Sequence, residues 1–164
     1  MKAQDLGRVE NLSNVSSTVL FFSINSVDEL DIVRTILRKK KKPRKQLMAF
    51  VFFPEYYNLD VVTNKQIVLF NLSDFTLFAK MKDRLETKLQ EVSSELLISF
   101  VQLPDPFCTY IISRIKAGFK VGVYQSAPET FYDLTLKTDI NKIGFEHFYE
   151  QVTNYLGVLN IRKK

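Results

Sequence analysis

Four unbroken apolar runs, TVLFFSI (18–24), QLMAFVFF (46–53), LLISFV (96–101) and KVGVY (120–124), recur along this 164-residue chain with helix-like stretches between them. A strand wetted on one face alternates apolar and polar side chains, and these runs do not alternate, so each must be covered on both faces. Helices packed on either side of a sheet provide that cover.

The stretches between the runs supply the helices. Ser26 and Glu29 form a capping-box pair after the first run, and Leu30, Val33, Ile36 and Leu37 follow as one stripe at helical spacing. That helix must stop before Pro43, whose ring clashes with the preceding turn. Strand, helix and strand in this order make a βαβ unit, with a right-handed crossover. KQIVLF (65–70) predicts a third, shorter strand. Phe78, Met81, Leu85, Leu89 and Val92 predict a helix over 74–92.

Pro104 and Pro106 mark a turn, after which Cys108, Ile111, Ile112 and Ile115 predict a short helix closed by Gly118. The segment 125–132 reads as a loop and DLTLK (133–137) as a last strand. Phe145, Phe148, Val152, Tyr155, Leu156 and Leu159 line a final helix. The expected fold is α/β, a three-layer sandwich with a mainly parallel, Rossmann-like sheet. Residues 18–160 would form one domain, after an N-terminal arm (1–17) and before a basic tail (161–164).

Charge is concentrated in one place. The stretch RKKKKPRK contributes Arg38, Lys39, Lys40, Lys41, Lys42, Arg44 and Lys45. The chain carries +5, so removing these seven charges leaves −2, and removing Arg162, Lys163 and Lys164 as well leaves −5. A mildly acidic body is not the broad basic face of a nucleic-acid binder, and nucleic-acid binding is expected to be weak at most. The run reads as the solvated end of the first helix, whose first turn carries Asp28 and Glu29 as the macrodipole favours. Polyanion contact and an import signal are the other readings of such a cluster.

One cysteine, Cys108, leaves no intramolecular disulfide and fits a reducing compartment. No apolar stretch approaches the roughly 20 residues of a membrane span, and the first residues lack the apolar core of a secretory signal, so a cytoplasmic protein is expected.

Catalytic signals are thin. The first turn, SINSVDE, has no glycine to bring backbone amides to a pyrophosphate, and its acids would repel one. His147 is the single histidine, with no Asp, Cys or Ser at a spacing that implies a triad. Cys108 sits on an apolar stripe, where a small core residue is expected. No metal site and no cofactor are expected. The one suggestive set is positional, because open parallel sheets bind ligands beyond the carboxyl ends of their strands. Gln102, Asp105 and Thr109 follow one strand there, while Tyr124, Gln125, Ser126, Glu129, Tyr132 and Asp133 follow the next. Such residues could hydrogen-bond a small polar ligand or dock a protein partner, and turns also require several of them.

The region from LLISFVQLPDPFCTYIISRIKAGFKVGVY through TFYDLTLKTDINKIGFEHFYEQVTNYLGVLN resembles a family of small uncharacterised proteins met mainly in Bacteroidetes-type bacteria. The matching pieces are Phe119, Lys120, Val121 and Gly122, then Tyr132, Asp133 and Leu134, then the EQVTNYL helix. Members often carry an acidic residue where this chain has Phe100, Val101 and Gln102. A fainter similarity links LLISFVQLPDPFCTYIISRIKAGFKVGVY to one half of the GT-B glycosyltransferases. The first resemblance implies no activity and leaves a non-catalytic binding or accessory module; the second implies a nucleotide-sugar-binding enzyme fragment.

Overall fold

The computed structural model describes residues 15–55, 65–103, 105–125 and 131–158. Strands β1 (Ser17–Ser23), β2 (Gln46–Phe52), β3 (Ile67–Phe70), β4 (Ser93–Ser99), β5 (Lys116–Val123) and β6 (Leu134–Leu136) form one sheet in the order β3-β2-β1-β4-β5-β6. Every neighbouring pair is parallel, as the non-alternating runs require. The α/β sandwich expected from the sequence is the fold observed.

Alternation along the strands sorts side chains between two cores. Leu20 and Phe22, Ala49 and Val51, and Ile98 and Phe100 face the layer formed by α1 (Val27–Lys40), α4 (Ile140–Ile143) and α5 (Phe145–Val158). Val19, Phe21, Phe50, Phe52 and Leu97 face the layer of α2 (Asp83–Glu91) and α3 (Pro106–Arg114). Leu30, Val33, Ile36 and Leu37 of α1 are all buried, and Ser26 and Glu29 make the expected capping box. The last turn of α1 carries Arg38, Lys39 and Lys40, and Lys41 is its C-cap.

Several expectations need correction. The helix expected from Asp74 begins at Asp83, because Asn71 and Asp74 cap a one-turn 3-10 helix, Leu72–Asp74, with their own side chains. A tight turn follows, closed by a bridge between Phe75 and Met81, so Phe78 leaves the apolar stripe and is 87% exposed. The strand expected over 96–101 runs from Ser93 to Ser99. Helix α3 ends at Arg114 with an extended Ile115 cap, and Gly118 lies inside β5 rather than closing the helix. Gly144, at φ 82°, is the glycine whose backbone matters, since it turns α4 into α5 in a conformation that side chains rarely adopt. Tyr155, expected on the buried stripe of α5, is exposed.

Val15 is buried and Ser16 donates from both backbone N–H (3.0 Å) and hydroxyl (2.6 Å) to Glu95. The rest of the expected arm, residues 1–14, and the basic tail lie outside the described residues.

Candidate functional site at the carboxyl edge of the sheet

Chain connections leave β1 and β4 in opposite directions, so a crevice between their carboxyl ends is the expected ligand position in such a sheet. Here it is filled from both faces. On the α1/α5 side the Phe100 ring stacks on Phe22 at 4.2 Å and meets Phe145 and Phe148 edge-on at 5.7 and 5.3 Å. On the α2/α3 side Ser99, fully buried, accepts hydrogen bonds from the Tyr132 hydroxyl (2.8 Å) and the Val101 N–H (3.3 Å). Burial raises the Tyr132 hydroxyl pKa above its ordinary value. The Tyr132 ring lies against Gly122, where any Cβ would collide with it.

Backbone donors at the first helix are taken up internally. Glu29 Oε2 accepts from the Asn25 and Ser26 N–H groups at 2.6 and 3.2 Å, and the Ser26 hydroxyl accepts from the Glu29 N–H. An incoming phosphate would have to displace a carboxylate from the end of the helix where its own charge would sit.

The polar residues singled out in the sequence are engaged in the same way. Gln102 donates from Nε2 to Asp139 Oδ1 at 3.0 Å and accepts from the Ile140 N–H at 2.7 Å, so it ties β4 to the start of α4. Its hydrogen bond is the main reason that Asp139 titrates below the usual carboxylate value. Asp105 caps α3 by accepting from the Cys108 N–H at 2.9 Å, and the half-buried Thr109 donates its N–H to the Asp105 carbonyl. Gln125 donates to the Val101 carbonyl at 3.1 Å. Asp133 accepts from the Lys120 N–H at 2.7 Å, on the middle of β5. Tyr124 is exposed, with its N–H donated to the Leu136 carbonyl. Ser126 and Glu129 lie outside the described residues.

The structure thus brings Gln102, Gln125 and Tyr132 around the end of β4, and leaves Thr109 and Asp133 outside that group. One member escaped the sequence reading, Ser99. A hydroxyl inside a run buried on both faces must find a partner, and LLISFV displayed that signal at Ser99. Cys108 is fully buried, and desolvation pushes its thiol pKa well up, away from the thiolate that reactivity needs. His147 is exposed on α5. Among the described residues, no group of three or more His, Cys, Asp or Glu could hold a metal ion. No helix in that set is long and apolar enough to cross a membrane.

Beyond the carboxyl ends of the strands several large apolar side chains are exposed. Leu77 is fully exposed, Phe78 nearly so, Leu103 is 72% exposed, and Tyr124 and Phe131 are about half exposed. Leu77 and Phe78 occupy the tip of the 75–81 turn, where Ala79 has φ 56°. Asp74 anchors the base of that turn. Its buried carboxylate is gripped by Arg84 at 2.8 Å, and its carbonyl accepts from the Lys82 N–H.

A family model covers residues 1–159 and describes a family of unknown function, DUF6913. The chain belongs to DUF6913. No curated protein and no solved structure gives a significant match. The DUF6913 match spans all six strands and the helices of both layers.

The basic run divides between α5, an open groove and the amino ends of the strands. Lys39 and Lys40 pair with Glu146 (3.0 Å) and Glu150 (3.6 Å) of α5, and Lys40 lies 5.5 Å from the centre of the Tyr149 ring. Arg38 and Lys41 border an open groove beside Asp31, Arg34 and Gln66. Arg44 adopts φ 63° in the turn before β2. Lys42 and Lys45 turn toward the amino ends of the strands.

Proposed function

We propose that this DUF6913 chain is a non-catalytic binding module that docks a protein partner through the apolar rim at the carboxyl edge of its sheet. The observation that carries this reading is the 75–81 turn. Two large apolar side chains stand in solvent at its tip, on a backbone that places an alanine in the left-handed region at a cost of about 1–2 kcal/mol. A turn selected only to connect two elements would carry Gly or Asn at position 79 and polar groups at its tip. Lys80 and Lys82, both exposed, flank that tip, so the partner is a protein with an apolar recess and an acidic border. The polar edge groups, bonded to one another, support a structural role for that centre. No observation favours nucleotide-sugar binding, because the first helix turn offers its N–H groups to Glu29 and Ser26.

A photo-crosslinking amino acid at Phe78 tests the reading in cells that make the protein, with the same group at exposed Val158 as the control. Discrete adducts from position 78 that are absent from position 158 are expected. Equal adduct patterns, or none from position 78, overturn it. Thermal stabilisation by nucleotide sugars would instead establish the enzyme-fragment alternative.

A further inference from the structure

The basic run is answered by acids over only part of its length. Where α1 packs against α5, Glu146 meets Lys39 and Glu150 meets Lys40, and in the turn that follows Lys45 lies in the field of Glu95. The other four cations are Arg38, Lys41, Lys42 and Arg44. All four are exposed, and none forms an ion pair among the described residues. The helix macrodipole accounts for cations in the last turn of α1 and falls off beyond it, so Lys42 and Arg44 need another reason. Lys42 to Lys45 form a turn, closed by the Lys45 N–H on the Lys42 carbonyl at 3.2 Å, with Pro43 and Arg44 at its corners. At φ 63° Arg44 occupies the corner where such a turn takes glycine. A cation needed only for solubility would stand on relaxed backbone. Here a guanidinium is held in solvent on a backbone that glycine would adopt without strain.

We propose that this amino-edge turn, together with the end of α1, docks an acidic, extended segment of a protein, whose carboxylates meet Arg38, Lys41, Lys42 and Arg44 as Glu146 and Glu150 meet Lys39 and Lys40. Charge complementarity selects this occupant over the other polyanions. A nucleic-acid duplex carries charge along its whole length, and the surface around the four cations is not uniformly basic: Asp31 lines the same groove as Arg38 and Lys41, and Glu146 and Glu150 stand beside Lys39 and Lys40. A single nucleic-acid strand needs aromatic faces for its bases. No aromatic side chain lines that groove, and Lys40 already lies over the Tyr149 ring. An extended peptide avoids both difficulties, because alternate residues point the same way and can present carboxylates to the cations and neutral groups to the acids. Arginine also meets a carboxylate bidentately. This surface lies at the edge opposite the docking rim and does not depend on it, so a chain that uses both would join two proteins.

Fluorescence anisotropy of a labelled octapeptide of alternating Glu and Ser, titrated with the full chain at low salt, tests it. Binding is expected, and added salt should weaken it steeply because exposed charges are screened. The octapeptide of alternating Lys and Ser should not bind. Lys41→Ser with Arg44→Ser should weaken binding of the acidic peptide about tenfold, as two exposed charge pairs are lost together. Lys137→Ser with Lys142→Ser removes the same charge from exposed positions after β6 and should leave binding unchanged. Arg44→Gly separates recognition from folding. It should weaken binding while the melting temperature stays or rises, since glycine relieves the positive φ. No binding of the acidic peptide, an equal loss from Lys137→Ser with Lys142→Ser, or an Arg44→Gly variant that binds as the parent chain does each overturns the proposal. Tighter binding of pentathymidylate, whose four phosphodiesters match the four carboxylates of the peptide, overturns it in favour of nucleic acid.

Discussion

The two edges of the sheet invert what a parallel α/β fold leads one to expect. At the carboxyl edge, where such sheets ordinarily hold ligands, Phe22, Phe100, Phe145 and Phe148 close one face, and Ser99, Tyr132 and Gln125 bond the other. At the amino edge, ordinarily a matter of stability, an apolar-floored cavity opens beneath lysines. The lesson is that strand order fixes where a crevice would be, while the side chains at the strand ends decide whether one exists. A residue that fills the crevice cannot also serve a ligand there.

The largest effect should come from removing the plug. Phe100 is 2% exposed and touches three other rings, so Phe100→Ala should cost about 3–5 kcal/mol in chemical denaturation. A cost below about 1 kcal/mol would mean that the carboxyl edge is looser than its ring packing implies.

The next effect sharpens the comparison within the carboxyl edge itself. Gly122→Ala forces a Cβ into the Tyr132 ring and should destabilise by about 1–3 kcal/mol. In a Tyr132→Ala background the same change should cost under about 0.5 kcal/mol, because the obstacle is gone and residues in contact are not additive. A full penalty in both backgrounds would show that the glycine is needed for its backbone rather than for the close approach of the ring.

A smaller effect belongs to the amino edge and depends on pH. Glu95 titrates below its ordinary 4.5, chiefly because the Ser16 hydroxyl donates to it. A carboxylate with a depressed folded pKa adds stability above its unfolded pKa, and that contribution is lost as pH falls through the folded value. Ser16→Ala should therefore be less stable than the parent chain at pH 7, and the gap should narrow on acidification to about pH 3. A gap that persists unchanged in acid would assign the loss to packing around Val15 instead.

Much of the fold was legible because its signals are local. The non-alternating runs, the Ser26–Glu29 capping box and the Leu30–Leu37 stripe all report on neighbours a few residues away; the structure shows the capping box and the stripe where the pattern put them and a strand at each run, two of the strands beginning three or four residues earlier than expected. The failures came where a side chain competes with helix formation over a short span. Asp74 and Asn71 satisfy backbone donors themselves, so helical spacing at Phe78 and Met81 carried no helix. The site was less legible because its members meet through distant pairings. Gln102 reaches Asp139 and Tyr132 reaches Ser99, across 37 and 33 residues, and nothing in a single sequence marks such partners. The basic run showed its charge but not its division between α5, an open groove and the amino-edge cavity.

The smallest effect on stability should come from the part of the carboxyl edge that we assign to a partner. Leu77 and Phe78 bury almost nothing within the chain, so Leu77→Asp with Phe78→Asp should leave the unfolding free energy within about 0.5 kcal/mol of the parent. Ala79→Gly should be neutral or stabilising by up to about 1 kcal/mol, since glycine relieves the positive φ that alanine bears at 56° and gives back part of that gain as unfolded-state entropy. Together the two measurements separate folding from recognition. If the tip served the fold, charging it would lower the denaturation midpoint and the alanine would be the better residue at 79. If it serves a partner, the midpoint stays, adduct formation from neighbouring crosslinkers disappears, and the strained alanine is retained for the orientation that it gives Phe78. A loss of more than about 1.5 kcal/mol on charging the tip would move Leu77 and Phe78 from the docking rim back into the stability of the domain.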